Sequence, residues 1–148
     1  MDTHASVTRT ACAAMLNKAQ EMGVEGVVAA ALNQGDNLQM TIEVASTKDF
    51  EIVVDKNNLM AIALAKVAQS VRTGNNSGEQ PAVLGENEWR GAVIDDDLLA
   101  KGKIHLVCAF SGGSEEQDVE IATTGLKAGM ADLAACVAAK LLVGLIFG

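Results

Sequence analysis

Apolar residues recur at every third or fourth position from the start of the chain. Val7, Ala11, Met15, Ala19 and Met22 fall on one face of a helix predicted over residues 3–22, and Gly23 supplies its stop. A continuous apolar run, GVVAAAL at 26–32, reads as a buried strand. NQGDN at 33–37 has the composition of a turn. The pattern then switches to strict alternation, with Leu38, Met40, Ile42 and Val44 on one side and Gln39, Thr41 and Glu43 on the other. That is a half-buried strand with its apolar side inward, and the two runs form a hairpin.

A short extended piece at 50–54 precedes a second helix, with Asp55, Asn57 or Asn58 as its N-cap. The helix body is apolar almost all round over 59–65, which predicts cover on more than one side, and Gly74 closes it. The second half offers strands at 88–94 and 103–110, with a shorter one at 81–84 to bring the sheet to about five. Ser114 and Gln117 then form an S-x-x-Q capping box. Glu115, Glu116 and Asp118 place negative charge where the helix dipole favours it. Hairpins predominate, so the expected architecture is α+β, an antiparallel sheet with helices on both faces.

Composition narrows the partners. The 148 residues carry 11 Lys+Arg against 19 Asp+Glu, a net charge of −8, and only 3% are aromatic. Nucleic acid is disfavoured, because phosphate recognition needs clustered cations and base stacking needs aromatics. With 49% apolar residues and no long linker, the chain reads as one domain over 1–148. Cys12, Cys108 and Cys136 are odd in number and widely spaced, which suits core thiols better than disulfides. The first residues lack the basic start and apolar run of a secretory signal, so a soluble, cytoplasmic or otherwise intracellular setting is expected. The apolar tail at about 130–148 is interrupted by Asp132 and Lys140. It reads as a helix docking on the sheet or on another subunit, with no membrane span expected.

Candidate chemistry is sparse. SGGSEEQD at 111–118 places Ser111, Gly112, Gly113 and Ser114 at a helix N-terminus, where backbone N–H groups can take an anion. The three acids of the first turn argue instead for a tight turn with a cap. His105 is the one histidine in a regular element, a candidate ligand or a solvent-facing strand residue; His4 lies near the start. Asp95, Asp96 and Asp97 supply oxygens for a hard cation or a solvated hairpin tip. Trp89 and Arg90 are candidate interface anchors, as are Leu141, Leu142, Leu145, Ile146 and Phe147 of the tail. The six Met read as gap fillers in the core. No Ser-His-Asp arrangement, P-loop or dinucleotide fingerprint can be assembled.

The stretch GKIHLVCAFSGGSEEQDVEIATTGL at 102–126 resembles the closing motif of the HbpS-like/GlcG family, with its strand, Ser-Gly turn, Gln117-Asp118 and small-residue helix. IALAKVAQSV at 62–71 is similar to that family's central helix, and GVVAAALNQGDNLQM to its opening hairpin, with Gly35-Asp36 replacing a Gly-Gly turn. The resemblance spans roughly residues 10–130. Asp95–Lys101 and the tail after Leu133 depart from it. It implies a profilin-like three-layer α/β/α sandwich and homo-oligomers. It also implies a small-molecule binding role that in some members concerns haem or its breakdown, with Ser111–Ser114 and His105 as the ligand-binding candidates. VEGVVAAAL resembles the first strand of roadblock-type domains, which implies the alternative of a non-catalytic scaffold or accessory subunit within a larger complex. Fold alone does not choose between these roles.

Overall fold

A computed structural model describes residues 3–34, 39–47, 53–95 and 104–147. The order is α1 (Thr3–Met22), β1 (Val27–Gln34), β2 (Gln39–Ser46), α2 (Val53–Thr73), β3 (Ala92–Asp95), β4 (Ile104–Ser111) and α3 (Glu115–Phe147). The strands form one antiparallel sheet in the order β2-β1-β4-β3. One face carries α1 and α3 and the other carries α2, so the predicted helix–sheet–helix layering holds.

β1 is central and buried on both sides. Val28, Ala30 and Leu32 meet Met15, Phe110 and Ile121 in the core under α1 and α3. Val27, Ala29 and Ala31 meet Ala63 and Val67 of α2 in the second core. That is why the run at 26–32 has no polar side. α1 and α3 pack antiparallel and very close. A Cβ added at Gly125 would lie 2.4 Å from Met15 Cγ and 3.1 Å from the Ala11 carbonyl oxygen. Ser6 and Thr10 hydroxyls donate to Asp132 at 3.0 and 3.2 Å across the same interface.

The predicted first helix has the observed bounds, and Gly23 ends it at φ 68°. The capping box is formed: the Gln117 amide donates to Ser114 Oγ, and the Ser114 amide to Gln117 Oε1. Other expectations are corrected. The sheet has four strands, not five. Residues 81–84 are irregular, and of 88–94 only 92–94 are strand, because the loop is tied instead to α2 through Arg72 and Gln69. α2 begins at Val53, so Val53 and Val54 are helical and Asp55, Asn57 and Asn58 lie inside the helix rather than capping it; residues 50–52 fall outside the described ones. Asn33 and Gln34 belong to β1 rather than to the turn, whose residues 35–37, with Leu38, are outside the described ones.

The largest correction concerns β2. Its apolar side, Met40, Ile42 and Val44, is 37%, 48% and 36% exposed. α2 packs over β1, β4 and β3 and leaves β2 uncovered, so the polar side, with Thr41 and Glu43, is the one that faces α1. Met60 and Ala61 of α2 are also exposed, so α2 is not covered all round, and Met40 and Met60 are not core fillers. The tail is likewise not docked on the sheet. α3 continues past the body, and Leu141, Leu142, Leu145 and Ile146 are each more than half exposed; the Phe147 side chain is outside the described ones.

Candidate functional site

Strand alternation places Val107, Ala109 and His105 on the α2 face of β4, and Leu106, Cys108 and Phe110 on the other. Ser111 ends the strand six residues from His105, about 20 Å at the strand rise. Ser111–Ser114 and His105 therefore stand at opposite ends of the sheet and do not form one site.

At the Ser111 end, the chain turns sharply into α3. Gly112 has φ 146°, and a Cβ there would sit 2.2 Å from the Glu25 carbonyl oxygen. A cleft of about 260 Å³ opens beside this turn, lined by Leu59, Ile62, Trp89, Arg90 and Glu115. Its floor is an ion pair that the sequence pattern did not reveal. Lys66 Nζ lies 3.1 Å from Asp118 Oδ2 and donates to the Phe110 carbonyl at 3.0 Å. Both residues are buried, at 2% and 4% exposure. Asp118 also accepts the Gly113 amide at 2.9 Å. Burial pushes its carboxyl above the ordinary range, while Lys66 and the Gly113 amide pull it back. Asp118 already takes a turn amide, and Glu115 lines the cleft alongside Lys66 and Arg90. Arg90 and Trp89 rim it, with Trp89 half-exposed rather than packed on the core.

At the opposite end, register sets three side chains in a row across the α2 face. Asn33 pairs with Met40 on β2 and with His105 on β4. Asn33 is buried and its Oδ1 has no hydrogen-bond partner; His105 Nδ1 is buried and also has none. Directly opposed residues carry their Cβ atoms about 4.5–5.5 Å apart on one face, so two neighbouring side chains each carry an orphaned polar atom, one of them an acceptor. Sequence reasoning placed Asn33 in a turn and so missed it. Beside the row runs the open apolar strip Met40, Ile42 and Val44.

The remaining candidates are placed as follows. Cys12 and Cys108 are buried, Cys136 partly so. Burial and nearby Glu43 push the Cys12 thiol up to about 12, and burial raises Cys108 as well. Among the described residues no three or more His, Cys, Asp or Glu converge on a metal position. Asp95 ends β3, while Asp96 and Asp97, like the side chain of His4, lie outside the described residues. A hollow of about 560 Å³ between α1 and the end of β2 is lined by Leu16, Asn17, Gln20 and Thr47 and holds no metal-ligating nitrogen or sulfur among its lining residues.

Together these features define an α+β sandwich of the kind found in GlcG/DUF336 proteins. No family model and no curated protein matches the sequence, but solved structures share the fold. One, described as the PduOC:heme complex, is 22% identical with a TM-score of 0.57, over 81% of this chain and 89% of that one. Another, Klebsiella pneumoniae protein ORFY of DUF336, is 19% identical with a TM-score of 0.57, over 88% and 91%. The Ybr137w protein is 16% identical at a TM-score of 0.50, over 84% and 73%. The GlcG-like resemblance in the sequence and the structural likeness thus agree on the fold.

Proposed function

We propose that this chain is a non-catalytic cofactor-binding protein that takes haem at the His105 end of the sheet, against the α2 face, with His105 as the iron ligand. The observation that carries the reading is the pair of orphaned atoms. A metal-ligating histidine donates its other ring N–H to a neighbouring acceptor, which fixes the tautomer and leaves the second nitrogen free for the metal. Asn33 Oδ1 is an unsatisfied buried acceptor opposite His105 Nδ1. A hydrogen bond between the two would leave Nε2 as the ligating atom. Met40, Ile42, Val44 and Met60 supply exposed apolar surface for a flat ring. That one neighbour of the same fold is a haem complex supports this choice of group. The cleft at Ser111–Ser114 does not fit haem. It is small, its lining holds no His, Met or Cys, and Asp118 and Glu115 lie in it.

Bound haem would supply its own iron chemistry; His105, Asn33 and the apolar strip would hold and orient it. Titration of the purified chain with haem at micromolar concentration should give a Soret shift. His105→Ala should abolish the shift, and Asn33→Ala should weaken binding about 10–100-fold. Ser114→Ala, in the other cleft, should leave it unchanged. No Soret shift in the parent chain, or an unchanged shift in His105→Ala, refutes the reading.

A second reading, an accessory subunit that docks on a protein partner or on its own copies, is favoured by one separate observation. Trp89, Val83 and Leu84 stand exposed together on the loop before β3. A change in native mass with Trp89→Ser, in the absence of haem, would support it.

A further inference from the structure

α3 leaves the body of the protein before it ends. Asp132 is tied to Ser6 and Thr10 at the start of α1, and Val137 is the last residue of the helix packed on the core. Every described side chain from 138 to 146 is exposed. At 1.5 Å per residue, the ten helical residues 138–147 extend about 15 Å beyond the body. α3 is also, among the described residues, the one helix long and apolar enough to cross a membrane, with 11% of its apolar stretch buried.

The shape of this surface selects what covers it. Leu141, Leu142, Val143, Leu145 and Ile146 are more than half exposed. Successive helical positions turn by about 100°, so these five fan over an arc of about 200°, and Lys140 and Gly144 occupy the remaining side. A second copy packed along this arc meets only about two turns of helix, far less than the ~800 Å² per partner of a stable dimer. The protein's own sheet is already covered on that face by α1 and the earlier turns of α3. Lipid chains cover the whole apolar arc at once and leave the Lys140 side to the headgroups.

Charge points the same way. No acidic residue follows Asp132, and Lys140 stands immediately before the apolar band. A lysine there buries its stem and leaves its ammonium at the level of lipid phosphates. Residues 141–146 extend about 9 Å further, within the depth that an interfacial anchor buries.

We infer that the free end of α3 inserts into one leaflet of a lipid bilayer, with Lys140 at the headgroups and Leu141–Ile146 among the acyl chains. The occupant is held by apolar burial. The net charge of −8 sets the body against anionic lipid, so a zwitterionic surface is the better partner.

Flotation of the full chain with phosphatidylcholine vesicles tests this. The parent chain should float with the vesicles, with little change on raising the salt, and less well when phosphatidylserine is added. Leu142→Asp/Leu145→Asp should lower the bound fraction at least tenfold while circular dichroism and thermal midpoint stay at parent values, because both residues are exposed. A parent chain that stays unbound, a variant that floats equally well, or parent chains that assemble through these ends into a bundle indifferent to vesicles overturns the inference. Each outcome is independent of haem.

Discussion

Lys66→Met probes how α2 is joined to the start of α3. The wild-type ammonium is 2% exposed and lies 3.1 Å from Asp118 Oδ2, which is itself buried. The substitution keeps the volume of the stem and removes only the charge and its donors. It leaves a buried carboxylate without a cation and the Phe110 carbonyl without its side-chain donor. Breaking one partner of a buried pair costs about 3–5 kcal/mol. At about 2–4 °C per kcal/mol for a chain of this size, that is a fall of roughly 6–20 °C in Tm. The pH dependence gives a second check. Burial already raises the Asp118 carboxyl above its ordinary range, and Lys66 is the largest influence opposing that rise. Without Lys66 the carboxyl rises further. A group whose folded pKa lies above its unfolded value contributes stability below the unfolded pKa and loses it as pH rises through the folded pKa. The deficit of Lys66→Met should therefore be greatest at neutral pH and narrow as pH falls toward the ordinary carboxylate range. Urea unfolding followed by circular dichroism, at neutral and mildly acidic pH, measures both effects. Lys66→Met/Asp118→Leu, which removes both charges, should recover much of the loss. A deficit under about 1 kcal/mol, or one that deepens with acid, refutes the reasoning.

Three further outcomes are expected. Gly125→Val should cost about 1–3 kcal/mol in thermal unfolding, because Met15 can swing away from the new side chain but the Ala11 carbonyl at 3.1 Å cannot; an unchanged midpoint would show that α1 and α3 separate freely. A thiol reagent at mildly alkaline pH should label Cys136 alone in the native chain and all three cysteines in denaturant, since Cys12 and Cys108 are buried and their thiols are raised; native labelling of Cys12 would contradict the packing of α1 on β2. Arg72 first, and the Val83 amide second, hold Glu86 down to about 2; this depressed carboxyl steadies its loop above the ordinary carboxylate range and releases it as pH falls through about 2, so hydrogen exchange at the Val83 amide should stay slow under mild acid, and fast exchange there would sink the assignment.

What was legible in the sequence follows the range of the forces involved. The first helix and the Ser114–Gln117 cap depend on residues three or four apart, and both were readable. The alternation of β2 showed correctly that its two sides differ, but not which one is covered; that depends on where α2 lies, set by connections and packing far along the chain. The Lys66–Asp118 pair joins residues 52 positions apart. Its one local signal was a lysine directly after the apolar run 59–65. Asp118, read from its neighbours, looked like a helix-dipole acid. His105 was readable as the one histidine in a regular element, a candidate ligand. Asn33 was not found, because Asn next to Gly and Asp carries turn composition, and only the β1–β4 register brings it opposite the histidine.

The near-contact of α1 and α3 at Gly125 and Gly129 has a mechanical consequence. Backbones this close leave no room for one helix to roll on the other, and the hydroxyl pair on Asp132 clamps the crossing near its upper end. The free end of α3 is thus a mast stepped in a rigid hull rather than a tether. Whatever it is planted in receives the protein at a set tilt, which also fixes the direction in which the β2 face and its His105 row look out.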